Sequence, residues 1–442
     1  MGNQDLMETK SFSGTLEASG YSTPLTFSAS ISHGGKIIFD FGIIPLIQET
    51  AYIHKLFHKE STKFEDFTLS GTSDDGTEFK TKDLYFTCLN DSWSKEAGSL
   101  MRPVGECQSA ELFRTLDELS PKPLLRICLK GFKNFHRLTA ACRLGMIVMV
   151  GASSIDNPDT ITGTIEIQPE IAPVDITYWH DEADKLLEYI RRVMSVASAA
   201  ILQVPITEYI VENKCEITVL SQSKHTQGGM GVIHFLEQQP FFDAVVKSYF
   251  EPPIRDKNLF FAIEWLSMDS SYSEVRLVNA MTAIENLVDS NLGDKDALIL
   301  SKGEFNKTRK VLRQVIEKCI VKWSDVDSEK IGDGVNEINA KLSDLNRRSI
   351  FEKIKRLAEL WSVPLDGISD EQIKSAKSAR DRIVHRGNYY KPGEDNSDDL
   401  WKHVIVIREI VVRFLLTVIN YKGSYCYLSG RVSYNSVSSD GV

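Results

Sequence analysis

The hydrophobic period changes partway along this chain, and that change demands two kinds of core. Before about residue 169, apolar residues recur at every second position. From about residue 256 they recur every three or four. A period of two belongs to half-buried strands and a period near 3.6 to helices, and neither pattern can stand in for the other. The 442 residues also exceed what one ordinary core holds, so two or three domains are expected.

The early strands can be placed individually. Residues 25–32 put Leu25, Phe27, Ala29 and Ile31 on one side, and residues 36–41 follow the turn signal Gly34-Gly35. Further strand candidates are 63–70, 82–89, 124–130, 147–150 and 161–167. Polar turns separate them at Ser73-Asp74-Asp75-Gly76 and Asp156-Asn157-Pro158-Asp159. Short strands with polar turns predict a β-rich, sandwich-like N-terminal domain over 1–169.

Residues 170–255 read as an α+β connecting section. A helix is expected over 181–202 through Leu186, Ile190, Val193, Val196 and Ile201, then one or two strands over 206–220. Six helices are expected next, at 256–268, 272–290, 303–323, 349–361, 370–386 and 397–421. They make an all-α C-terminal bundle over 256–421. The last is apolar nearly all round, which predicts the central helix. The tail, 422–442, is expected to be peripheral. The fold class is thus a multidomain α+β protein.

Charge and cysteine usage narrow the setting. The net charge of −10 argues against broad nucleic-acid binding. Residues 301–390, however, carry 19 Lys and Arg against 14 Asp and Glu, a local +5 that can meet phosphates. Solvated helix faces would give the same count. Seven widely spaced cysteines with no C-x-x-C predict reduced thiols and a cytoplasmic protein. The start, Met1-Gly2-Asn3-Gln4-Asp5-Leu6, lacks the basic and apolar regions of a secretory signal, and Leu6 stands where myristoylation wants Ser or Thr. The apolar stretch 404–419 contains Arg408, Glu409 and Arg413, so it reads as a buried helix and not as a membrane span.

The helix expected at 370–386 is unusual. Ser369 with Gln372 forms a capping-box pattern, Asp370 and Glu371 suit the first turn, and Gly387 marks the stop. Its apolar stripe runs Ile373, Ala376, position 380, Ile383, and position 380 is arginine. A guanidinium on a buried stripe is costly unless paired; otherwise it must reach the helix edge. The helix over 272–290 has the same anomaly, since Val278, Met281, position 285 and Val288 make a stripe and position 285 is Glu. The two charges could form one pair, or Glu285 could lie at the wet edge of its stripe. His385 follows Arg380 by five residues, which sets them about 140° apart on a regular helix. Asp381, four residues before His385, shares its face and could fix the imidazole tautomer.

Arg380-Asp381-Arg382-Ile383-Val384-His385 resembles the HEPN motif: Arg, a polar residue, then His after four to six intervening positions. Its setting, the penultimate helix of a C-terminal bundle, is similar too. The layout looks like ApeA-like HEPN proteins, prokaryotic defence factors with a β-rich N-terminal domain. In these the upstream helix often carries an acid in an Ala-hydrophobic-Glu context, matched by Ala283-Ile284-Glu285. The motif resemblance covers about 256–421; the N-terminal match rests on layout alone.

The resemblance implies a metal-independent endoribonuclease that needs no cofactor. It would act as a homodimer or higher even oligomer in abortive-infection anti-phage defence. The implied substrate is structured RNA such as tRNA, cut in a single-stranded loop. His385 would be general base or acid, and Arg380 would hold the phosphate oxygens. Asp381 would orient His385, Glu285 would position Arg380, and Arg382 and Arg386 would be substrate-binding candidates. A phage-derived trigger or inhibitor is the implied regulator, with no membrane partner.

Two rival readings stand beside this one. The first is a catalytically silent HEPN binding module. The second is a β-sandwich ligand-sensing protein whose helical part only dimerises. His54 and His58 have metal-ligand spacing but lack the intervening Glu of a zincin and an obvious third ligand, so no metal site is expected there. Gly228-Gly229-Met230-Gly231 lacks the lysine of a P-loop.

Overall fold

The computed structural model describes residues 8–58, 66–95, 98–134, 136–153, 157, 159–198, 200–222, 231–268, 270, 272–320, 336–390, 397–428 and 432–436. The chain divides into two compact units, Met1–Tyr249 and Phe250–Val442.

The first unit is built on one antiparallel sheet of twelve described strands. In chain order they are β1 (Lys10–Ala18), β2 (Tyr21–Ile31), β3 (Ile37–Asp40), β4 (Ile44–Pro45), β5 (Phe67–Ser73), β6 (Glu78–Ser94), β7 (Gly98–Cys107), β8 (Ser109–Lys130), β9 (Leu138–Cys142), β10 (Gly145–Gly151), β11 (Ile161–Gln168) and β12 (Gln203–Leu220). The helices of this part are α1 (Ala51–Phe57), α2 (Ile176–Ser198) and α3 (Gln238–Phe250). The alternation in β2 works as the sequence requires: Phe27, Ala29 and Ile31 are buried, with Leu25 packed at the margin. Ser19 and Gly20, both at positive φ, make the two-residue turn between β1 and β2. Phe12, Phe27 and Phe79 meet at centroid distances of 5.3–5.6 Å within the core.

Strand β8 ties the sheet together. Its first half pairs β6 at Phe113↔Glu78, its second half pairs β11 at Ile127↔Ile165, and β12 runs along it from Leu220↔Ser109 to Gln203↔Lys130. Arg126 on β8 bonds Glu166 of β11 and Glu208 of β12, each at 2.9 Å. The sequence reading placed β12 in a connecting section over 170–255. The strand expected over 206–220 is β12, which joins the sheet beside β8, and α2 packs on β8 and β11. The physical reason is the open edge of β8, whose backbone groups β12 satisfies. The strands expected as a sandwich are hydrogen-bonded in one continuous sheet.

The second unit is mainly helical. It contains α4 (Leu259–Ser267), α5 (Ser273–Asn291), the short α6 (Asp294–Ala297), α7 (Lys302–Ile320), α8 (Ile350–Trp361), α9 (Asp370–Arg386) and α10 (Ser397–Val418), then β13 (Ser424–Leu428) and β14 (Val432–Ser436). Each of the six expected helices has a counterpart within a few residues. Helix α10 packs against α4, α5, α9 and β13, as its all-round apolar surface requires.

The first described residues of the tail, expected to be peripheral, include two buried side chains, Tyr425 and Cys426. The cause lies in α10, where Glu409 and Arg413, one turn apart, form a buried ion pair at 2.7 Å. Such a pair needs further polar partners. The Tyr425 hydroxyl donates to Glu409 at 2.5 Å and accepts from Arg413 Nε at 3.1 Å. Burial and the adjacent Glu409 push the Tyr425 phenol up, so it stays protonated as the donor. Arg413 also donates to the carbonyls of Pro364 and Asp366 at 3.1 and 2.9 Å, in the segment leading into α9. No described helix is long and apolar enough to cross a membrane.

Candidate active site

Helix α9 has the ends its sequence specifies. Gln372 N donates to the Ser369 hydroxyl at 3.3 Å, and Ser369 N donates to Gln372 Oε1 at 2.7 Å. Gly387 sits at φ +78° and donates its N–H to Ile383 at 2.8 Å. Ile373, Ala376, Ala379 and Ile383 are buried. Ala379 therefore takes the stripe position that the spacing gave to residue 380. Arg380 lies at the stripe's edge, its side chain 24% exposed, where its charge keeps some hydration.

The structure brings Arg380 and Glu285 together across 95 residues of sequence. Arg380 Nη2 donates to Glu285 Oε2 at 2.8 Å. Nη1 makes a longer bond to Asp381 at 3.4 Å, and the buried Nε has no hydrogen-bond partner among the described residues. Glu285 is 28% exposed, and Lys353 of α8 bonds Asp289 one turn along α5 at 2.6 Å. Burial pushes the Glu285 carboxyl up; Arg380 and Lys353 oppose the shift, while Asp289 and Asp381 add to it.

Asp381 and His385 are not brought together. Asp381 accepts instead from Lys377, four residues earlier, and from Arg380. Burial alone would raise its carboxyl, but Lys377 and then Arg380 outweigh that and hold it below the usual carboxylate range. The same i, i+4 geometry that allowed an Asp381–His385 contact also allowed Lys377–Asp381, and a cation is the stronger partner. The role of Asp381 as an orienter of His385 is therefore not realised within one chain.

Arg382, His385 and Arg386 are exposed and share one face of the last turns of α9. Among the described residues no carboxylate pairs with any of the three. The Arg382 guanidinium lies 5.3 Å from the ring centroid of Tyr389, just past the helix stop. Tyr389 meets Tyr390 edge-on at 5.1 Å and His403 of α10 at 6.1 Å. Burial, then Lys402 and Arg382, hold the His403 imidazole low against the opposing pull of Asp399.

No protein-family model matches the chain, and neither a curated protein nor a solved structure matches it.

Away from α9, His54 Nε2 lies 3.2 Å from Asp91, and its ring is tilted against that of His58 with centroids 4.3 Å apart. Residues 223–230, which include Gly228, Gly229 and Met230, lie outside the described residues. Sequence reasoning missed Lys377, Lys353, Tyr389 and His403. Lys377 was legible, because it stands four residues before Asp381. The others meet their partners through tertiary packing and carry no local signal.

The Glu285–Arg380 pair yields a test of its own. Glu285→Ala should cost about 1–3 kcal/mol in urea denaturation, because a half-buried guanidinium loses its acceptor. Glu285→Gln keeps a hydrogen-bonding oxygen but cannot ionise. The folded carboxyl holds its proton above the ordinary value of 4.5. Its stabilising contribution is therefore complete below that value and is lost as pH rises through the raised folded value. Glu285→Gln keeps the contribution, so its stability relative to wild type should rise from pH 4.5 to neutrality. A difference that stays flat, or falls, over that range contradicts the assignment.

Proposed function

We propose that this chain is a metal-independent endoribonuclease of the HEPN type, working as a homodimer, and that α4 to α10 form its HEPN-type bundle. One observation carries the reading. Arg380 is oriented by Glu285 at the edge of the bundle, and His385, five residues on, stands exposed without a carboxylate partner among the described residues. A held arginine can bind the phosphate oxygens and an available imidazole can move protons, and both serve the cleavage of RNA by its own 2′-hydroxyl.

The chemistry balances without a cofactor. One His385 takes the 2′-hydroxyl proton as the 2′-oxygen bonds to phosphorus. A second His385 donates a proton to the 5′-oxygen as its bond to phosphorus breaks. Arg380 binds the non-bridging oxygens, where charge builds in the transition state. The products are a 2′,3′-cyclic phosphate and a 5′-hydroxyl. The mechanism calls for two copies because a regular helix sets Arg380 and His385 about 140° apart. Two α9 helices meeting across a two-fold axis would supply both groups from both sides of one phosphate. The pairing of Asp381 with Lys377 and Arg380 gives it the role of steadying Arg380. Structured RNA such as tRNA, and a setting in anti-phage defence, follow from the resemblance to ApeA-like proteins.

Purified protein incubated with total RNA in EDTA tests this reading. Cleavage leaving 2′,3′-cyclic phosphate ends is expected. A strict requirement for added divalent metal at the chemical step, or full activity in a strictly monomeric species, would overturn it. An inert wild type would favour the binding-module reading.

A further inference from the structure

We propose that Arg382 and Tyr389, whose guanidinium and ring lie together beside the exposed face of α9, form a platform for one unpaired RNA nucleobase next to the cleaved phosphate. The inference rests on the ribonuclease reading and deepens it by naming a base subsite.

The pair has the right parts for that role. Arg382 is exposed and its guanidinium lies 5.3 Å from the Tyr389 ring centroid. Among the described residues no carboxylate holds it, so its N–H donors are unspent. Arg380, two residues earlier, has both Nη groups engaged by carboxylates. One arginine is thus committed to the fold and the site, and the other is left facing solvent. An exposed cation–π contact contributes little to stability. A planar guanidinium laid on an aromatic ring, by contrast, is a surface on which bases stack.

Position supports the same conclusion. His385 and Arg386 follow Arg382 by three and four residues, so all three lie on one face of the helix. A base on the platform would hold its own phosphate over that face. His403 meets the Tyr389 ring edge-on at 6.1 Å and, held low by burial and by Lys402 and Arg382, offers a neutral imidazole at the platform's margin. A base inside a duplex cannot reach such a surface, so the platform selects loops, and purines present the larger stacking face.

Hairpin RNAs carrying 2-aminopurine at successive loop positions test this, since stacking quenches that fluorophore. The loops are 2′-O-methylated to block cleavage, and matched unmodified hairpins report cleavage separately. Wild type should quench at one loop position. Tyr389→Ala should lose the quenching and raise Kd and KM about ten- to hundredfold with kcat little changed. Tyr389→Trp should restore both. Unchanged affinity and quenching in Tyr389→Ala, or equal impairment in the alanine and tryptophan variants, overturns the platform. Quenching by wild type without cleavage of any unmodified hairpin or total RNA would instead defeat the ribonuclease reading and leave the platform standing.

Discussion

His385→Ala is expected to lower RNA cleavage by about 10²–10⁴-fold while leaving the fold unchanged. The large loss follows from the proposed mechanism, in which this imidazole moves a proton in both halves of the displacement. The unchanged fold follows from exposure: His385 stands in solvent at the end of α9 and takes no carboxylate partner among the described residues. Surface substitutions of that kind stay within about 0.5 kcal/mol. Cleavage rate and thermal melting of the purified variant measure the two halves separately. A variant that cleaves at the wild-type rate removes His385 from the chemistry. Excess His385→Ala subunits co-expressed with wild type should depress activity beyond simple dilution, because a mixed dimer lacks one of two required imidazoles.

The largest effect on stability is expected from Arg413→Ala. Glu409 and Arg413 side chains are only 4% and 7% exposed. Removing the cation leaves a buried carboxylate with Tyr425 as its remaining bonded partner, and it strips the Pro364 and Asp366 carbonyls of their donor. Breaking a buried pair from one side costs about 3–5 kcal/mol. For a unit of this size that lowers Tm by roughly 6–20 °C. Calorimetry of the full chain should show the loss in one transition while the sheet-bearing unit melts as before. A triple replacement of Glu409, Arg413 and Tyr425 by Leu, Met and Phe should recover part of the loss, since no buried charge is then left alone. An Arg413→Ala variant as stable as wild type would mean that the pair does not anchor the tail.

Much of this protein was legible before its fold. The alternation of Phe27, Ala29 and Ile31, the capping box at Ser369 and the stop at Gly387 are properties of a few neighbouring residues. The anomaly at positions 285 and 380 was legible for the same reason: a charge breaking an apolar period shows in one dimension. Where periodicity alone decided, small errors followed. The spacing put residue 380 on the buried stripe, but Ala379 took that place, because a guanidinium can slide to the edge and a methyl group packs without cost.

Partners distant in the chain were not legible. Asp381 had His385 and Lys377 at equal separations, and only the position of Arg380 beside Glu285 fixed which way the carboxylate turned. Tyr425 belonged to a tail rich in Ser, Tyr and Gly until Glu409 and Arg413 gave it something to bond. Strand β12 was expected as a strand, but its partner β8 was not legible, because strand pairing leaves no trace in a single stretch of sequence. Caps, turns and faces are decided by interactions within about four residues, so the sequence by itself determined them. Which helix meets which acid, and which strand closes the edge of β8, depends on groups left unsatisfied after the local structure has formed, and only tertiary packing brings their partners within reach.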